Sequence, residues 1–185
     1  MGFSLSHALP RPWLARQVAS CGADFWPVDV IAGGYESAFR ATLATLRKRG
    51  HTHMVFGDVD LAARRSWIAP RCEDAGIEAM FPLWGERRRA LAQEVLERGI
   101  RSRLVAVNPA RLDKGFCGSD YDVGLLARLP ADVCPFGQDG EFYAAVTYAP
   151  GMAHPVPLMD RGVRLVASAP PLAPSQIAQL MLADR

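Results

Sequence analysis

Apolar positions along this chain alternate between helical and strand spacing, and glycine or proline punctuates the changes. Leu14 and Val18 share a face between Pro10–Pro12 and Gly22, which predicts a helix over 10–22. Phe25 to Val30 reads as a strand, with Pro27 placing it at an edge. Tyr35, Phe39, Leu43 and Leu46 recur at helical spacing up to Gly50, giving a helix over 35–49. A strand follows at 53–57, then a helix from about Leu61 to Ala75, interrupted or kinked at Pro70. Ile77 to Phe81 is the next strand, Glu86 to Arg98 the next helix, closed by Gly99, and Arg103 to Val107 another apolar strand. After Asn108 the pattern changes. Residues 109–120 are polar and rich in loop formers, and Tyr121 to Leu129 reads as a short helix. Glu141 to Tyr148 and Val163 to Ala167 read as strands, antiparallel to each other. Pro170 to Pro174 breaks the chain, and Ser175 to Leu182 reads as a terminal helix. Two parts are predicted: an alternating α/β part over 1–108 and a smaller α+β part over 109–185.

Residues 51–85 carry the most specific pattern. The strand Met54-Val55-Phe56 ends in Gly57-Asp58, and the strand Ala79-Met80-Phe81 ends in Pro82-Leu83-Trp84-Gly85. Two strands with a helix between them make a parallel βαβ unit. Ligands of open α/β sheets bind beyond the carboxyl ends of the strands, where both turns lie. The segment therefore reads as one wall of a binding crevice.

Three more stretches follow in order: Arg64-Arg65-Ser66-Trp67, Leu112-Asp113-Lys114-Gly115-Phe116-Cys117-Gly118, and Pro135-Phe136-Gly137-Gln138-Asp139-Gly140-Glu141-Phe142. Taken with the two strand-end turns, they resemble the diphthine–ammonia ligase-like proteins of the adenine nucleotide alpha-hydrolase-like (ATP pyrophosphatase) superfamily. The resemblance runs over roughly residues 5 to 168. It implies a Rossmann-like three-layer α/β/α fold with a mostly parallel sheet, followed by a small C-terminal α+β subdomain. It also implies ATP and Mg²⁺ as cofactors and a reaction in which ATP adenylates a carboxylate, which ammonia then converts to an amide. The carboxylate would belong to a small molecule or be borne on a protein. By the same resemblance, Gly57, Asp58, Trp84 and Gly85 wall the nucleotide. Arg65, Gly137, Gln138, Asp139 and Gly140 face the substrate, and Glu141 is the catalytic carboxylate.

The sequence departs from the family in two places. Gln138 and Asp139 stand where the signature has Glu and Asn, and Tyr143 follows Phe142 where many members have His. The superfamily's Ser-Gly-Gly-x-Asp-Ser phosphate loop has no counterpart here: Gly33-Gly34 is followed by Tyr35-Glu36-Ser37. The expectation is a chain that enters the family pattern late. Two readings follow, an amide ligase-like enzyme impaired in this shortened chain and a non-catalytic binding or assembly module. The missing strands would leave an apolar edge at Met54-Val55-Phe56. Such an edge is closed by pairing with residues 25–30 or by a second copy, so a homodimer is expected.

Each motif also has a purely structural reading. Asp58 or Asp60 caps the following helix as readily as Asp58 accepts from a ligand hydroxyl or holds Mg²⁺. Trp84 fits a buried turn or the face of a planar base. Gly137 to Glu141 is a glycine-rich turn into a strand, or a loop that brings a carboxylate close to an amine. Arg64, Arg65 and Trp67 form a solvated helix face with a packed indole, or supply a guanidinium to a phosphate or carboxylate.

Composition narrows the class. The chain has 185 residues, half of them hydrophobic, enough for a sizeable core. A formal net charge of +2, with Lys48 and Lys114 the only lysines, indicates neither nucleic acid nor membrane as a partner. Arg87-Arg88-Arg89 reads as the charged face of a helix start. Cys21, Cys72, Cys117 and Cys134 show no metal spacing, nor do His7, His51, His53 and His154. Free thiols, the lack of a signal-peptide pattern and the lack of a long apolar run lead to a soluble, cytoplasmic protein as the expectation.

Overall fold

The computed structural model describes residues 9–31, 33–167 and 176–182. The chain divides into two compact units, one formed by Val28–Arg87 and the other by Met1–Pro27 with Arg88–Arg185. His7, the break at Pro170–Pro174 and Ser175 lie outside the described residues.

Val28–Arg87 is a βαβ unit with a helix in front. It runs α1-independent in the order α2 (Tyr35–Lys48), β1 (His53–Val55), α3 (Ala62–Asp74) and β2 (Glu78–Met80), where α1 is the helix Arg11–Ser20 of the other unit. β1 and β2 pair in parallel, His53 opposite Glu78 and Val55 opposite Met80. Alternation along the strands decides which face is covered. Met54, Phe56, Ala79 and Phe81 pack with Phe39, Leu43, Leu46, Trp67, Ile68, Cys72 and Ile77. On the other face Val55 and Met80 are exposed, and His53 Nε2 lies 3.3 Å from Glu78 Oε2. Pro70 lies inside α3 without ending it. It forfeits one amide donor, a loss that the packing of Ile68 and Cys72 on either side outweighs. An ion network joins α2 to α3: Glu36 Oε1 accepts from Arg40 Nε at 3.0 Å and Arg71 Nε at 3.1 Å, and Arg40 Nη1 donates to Asp74 at 3.0 Å.

The other unit is built on a four-stranded sheet in the order β4-β3-β6-β5, comprising β3 (Arg101–Val107), β4 (Phe142–Tyr148), β5 (Asp160–Ala167) and β6 (Gln176–Leu182). Every pairing in it is antiparallel. α1, α4 (Arg88–Glu97) and α5 (Val123–Arg128) complete the unit. Leu104, Val105, Val107, Leu125, Phe142, Ala145, Ala178 and Leu180 form the centre of its core, with Trp13 from α1. Polar side chains of α1 fix that helix to β4 and to the segment after it. Trp13 Nε1 donates to Pro157 O at 3.1 Å, Gln17 Nε2 to Val146 O at 2.7 Å and Ser20 Oγ to His154 O at 2.6 Å. Arg103 ties β3 to its surroundings, donating to Gly118 O at 2.6 Å and to Asp160 at 2.7 Å.

This topology corrects the expected fold class. The sheet is not the mostly parallel one of a Rossmann-like α/β/α domain: among the described residues only β1 and β2 are parallel, and the larger sheet is antiparallel. The misleading element is β3. Its apolar run Leu104-Val105-Ala106-Val107 reports burial on both faces, which parallel central strands share, but burial carries no information about strand direction. Two elements differ as well. Residues 25–30, expected as a strand, form none, so the alternative of pairing them with 53–57 has no strand to use. Residues 176–182 are a strand instead of a helix, because Ala178 and Gln179 pair with β3 while Ile177 to Leu182 pair with β5. Gln, Ala, Leu and Met are good helix formers, but differences in propensity amount to less than about 1 kcal/mol per residue, and two strand partners override them.

Candidate functional site

The βαβ unit brings its signatures together by construction. Parallel neighbours end on the same side, so the turn after β1 and the turn after β2 lie next to each other. Gly85 N–H donates to Val59 O at 2.8 Å and links them directly. Gly85 has φ +83°, a left-handed conformation that only glycine takes without strain, and this lets the amide turn back to Val59. Gly57 is exposed at the end of β1, and Asp58 behind it is buried. Asp58 Oδ1 accepts from Arg64 Nε at 2.8 Å, while the Arg64 side chain stays 63% exposed. Asp58 makes no side-chain cap on α3, whose N-cap is Leu61.

Arg65 is the neighbour of Arg64 and does something different. Its guanidinium lies 4.6 Å from the Trp84 ring centroid and 5.3 Å from that of Phe81. Phe81 meets Trp84 edge-on at 6.0 Å. A cation held over an indole is worth about 0.5–1 kcal/mol at an exposed site. The arrangement therefore presents a flat, pre-positioned positive charge beside a half-buried indole. Arg65 was expected on the substrate side. Its guanidinium lies over the ring of Trp84, a residue expected to wall the nucleotide.

Gly137, Gln138, Asp139, Gly140 and Glu141 belong to the sheet unit, in the loop leading into β4. Gly137 N–H donates to Cys134 O and Gly140 N–H to Gly137 O, both at 3.0 Å, so two tight turns follow each other. Both glycines have positive φ, +64° and +84°. A Cβ on Gly137 would collide with the backbone carbonyl of Phe142. Glu141 is 1% exposed, and both its oxygens are engaged: Oε1 accepts from Cys134 N–H at 3.1 Å and Oε2 from Asp139 N–H at 3.0 Å. A carboxylate in that position clasps its own loop. Asp139 receives Arg88 Nη1 at 2.9 Å, and Tyr121 OH donates to Pro135 O at 2.8 Å with its ring stacked on Phe136. Burial pushes the Tyr121 phenol well above its usual range, with Cys134 adding to the shift, so Tyr121 stays a neutral donor. Arg88 and Tyr121 escaped the sequence reading because each meets the loop across a long stretch of chain.

The remaining candidates are quieter. Cys117 is buried with its thiol pushed up to about 11 by burial, and its Sγ lies 3.4 Å from Ala178 O, so it is a poor nucleophile at neutral pH. Among the described residues no three His, Cys, Asp or Glu side chains cluster as a metal site, and none of the helices is long and apolar enough to cross a membrane. The residues present do not fit a protein-held Mg²⁺: the Asp58 carboxylate is buried and paired with Arg64. They do fit one side of a planar anionic ligand, which an indole, a guanidinium and a glycine turn can face together. No protein-family model matches the sequence, and no match to a curated protein reaches significance.

Proposed function

We propose that this chain is an ATP-dependent amide ligase-like protein of the diphthine–ammonia ligase-like type, in which the βαβ unit contacts the base and sugar side of an adenine nucleotide. The observation that carries this reading is the junction of the two strand-end turns through Gly85 and Val59, with Arg65 stacked on Trp84 beside it. Trp84 would face the base, Gly57 and Gly85 would give close backbone approach, and Arg65 would meet an anionic group of the ligand. ATP would bring Mg²⁺ on its own phosphates. The acceptor would be a carboxylate on a small molecule or a protein, approaching the Gly137–Gly140 loop. The cytoplasm is the compartment that suits free thiols. The exposed pair Val55 and Met80 supports a homodimer, which light scattering would test.

The engagement of both Glu141 oxygens by backbone amides favours a second reading, in which the chain binds without catalysing. The sequence given also contains no phosphate loop of the family type. Calorimetric titration with AMP and Mg-ATP, paired with a pyrophosphate-release assay, separates the readings. Saturable nucleotide binding that weakens at least about tenfold in Trp84→Ala, the loss of one stacking contact, supports the nucleotide wall. Pyrophosphate release by the parent chain supports the ligase, and binding without release supports the binding module. No saturable heat with either nucleotide, or heat indifferent to Trp84→Ala, overturns the proposal.

A further inference from the structure

The two arginines that open α4, Arg88 and Arg89, are engaged differently. Arg88 is drawn to Asp139, as described. Arg89, one residue on, lines a half-open cavity of about 470 Å³ between α4 and α5. Three and seven residues further along the same face of α4 stand Ala92 and Leu96, and the opposite wall is formed by Leu126, Leu129 and Val133. Ala92 and Val133 are buried, whereas Val123 at the start of α5 is 72% exposed and stands at the mouth. Arg89 is also exposed and makes no ion pair or hydrogen bond among the described residues. Apolar walls and one uncommitted guanidinium at the opening describe a site with a chemical preference.

We propose that this cavity binds an amphipathic monocarboxylate, an acyl or aryl chain of about ten carbons whose carboxylate pairs with Arg89. The volume equals that of about fifteen waters, within the range of small-ligand pockets and enough for a ligand of that size. The apolar chain would leave water against Ala92, Leu96, Leu126 and Val133. The carboxylate would stay at the mouth, where its charge keeps partial hydration and gains a charge-assisted hydrogen bond. The site lies wholly within the sheet unit and takes a ligand unlike a nucleotide, so it stands or falls apart from the proposed function.

The test is calorimetric titration of the full chain with decanoate, kept below its micellar concentration, with decanol as the neutral comparator. Arg89→Ala removes the charge, and Val123→Trp blocks the mouth. Both positions are exposed, and unchanged thermal melting shows that the fold is kept. The expected result is saturable decanoate binding, weakened at least about tenfold by Arg89→Ala and abolished by Val123→Trp, with decanol binding weakly and indifferent to Arg89. Absence of saturable decanoate binding overturns the proposal. So does binding that survives Val123→Trp, and so does an affinity that Arg89→Ala leaves unchanged.

Discussion

The two units differ in how their cores are closed. In the sheet unit, β3 has strand partners on both sides, and helices and loops add buried residues from Leu9 to Leu180 to a single cluster. In the βαβ unit two short strands carry one covered face, the buried members of its core cluster are Leu43, Ile68, Cys72 and Ile77, and much of the packing against them is aromatic. The first unit draws its stability from long-range strand pairing. The second draws on local succession, a strand, a helix and the next strand, reinforced by the Glu36 ion network. The loops chosen for function follow the same division. The strand-end turns of the βαβ unit leave Gly57 and Gly85 exposed, whereas the loop before β4 has turned its carboxylate inward.

The sharpest way to break this comparison is to hollow each core separately. Phe142→Ala should cost about 3–5 kcal/mol and Leu43→Ala about 2–5 kcal/mol. If the units are energetically separate, amide hydrogen exchange should rise in β3, β4 and β6 for the first variant and in α2, α3 and β1 for the second. A uniform rise across the chain in both variants would mean that the two units unfold as one.

The next effect tests the inward loop. In Gly137→Ala the left-handed backbone costs about 1–2 kcal/mol, and the collision with the Phe142 carbonyl adds about 1–3 kcal/mol. Denaturant melts should show the loss, and Gly140→Ala should lose less, because a Cβ there meets nothing within 4 Å. Equal losses would show that φ alone sets the cost.

These differences also explain what could be read from the sequence. The helices and the βαβ order were legible because their signals are local: Tyr35, Phe39, Leu43 and Leu46 at helical spacing, and strand ends marked by Gly57 and Gly85. Strand direction and partners were not legible. Val107 meets Ala178 across 71 positions of chain, and nothing in Leu104-Val105-Ala106-Val107 announces that neighbour. The candidate site divides likewise. Proximity of the two strand-end turns follows from any parallel pair, but the stacking of Arg65 on Trp84 depends on side-chain direction. The inward turn of Glu141 depends on amides of Cys134 and Asp139 placed by two glycine turns.

Glu141→Gln gives a smaller and more specific effect. One amide NH₂ would replace an oxygen that now accepts from backbone, leaving a buried donor facing a donor, at about 1–3 kcal/mol. A clasp predicts that stability falls in this variant with or without ligand present. A variant as stable as the parent would return Glu141 to the role of a catalytic carboxylate.

The smallest effect concerns acid. Hydrogen bonds from Arg71, then from Arg40, hold the Glu36 carboxyl below the usual carboxylate range. A carboxylate with a lowered folded pKa contributes stability above its unfolded pKa, about 4.3, and that contribution disappears as pH falls through the folded value. Parent and Glu36→Gln melting curves should therefore differ at pH 7 and converge on acidification below about pH 4. The group is fully exposed, so the difference should be small and should shrink with added salt. The convergence should appear in signals from α2 and α3 and leave the sheet unit unmoved, because every partner of Glu36 lies within the βαβ unit. A gap that persists unchanged at low pH would mean that Glu36 acts through packing of its methylene groups, and that the ion network contributes nothing to joining α2 and α3.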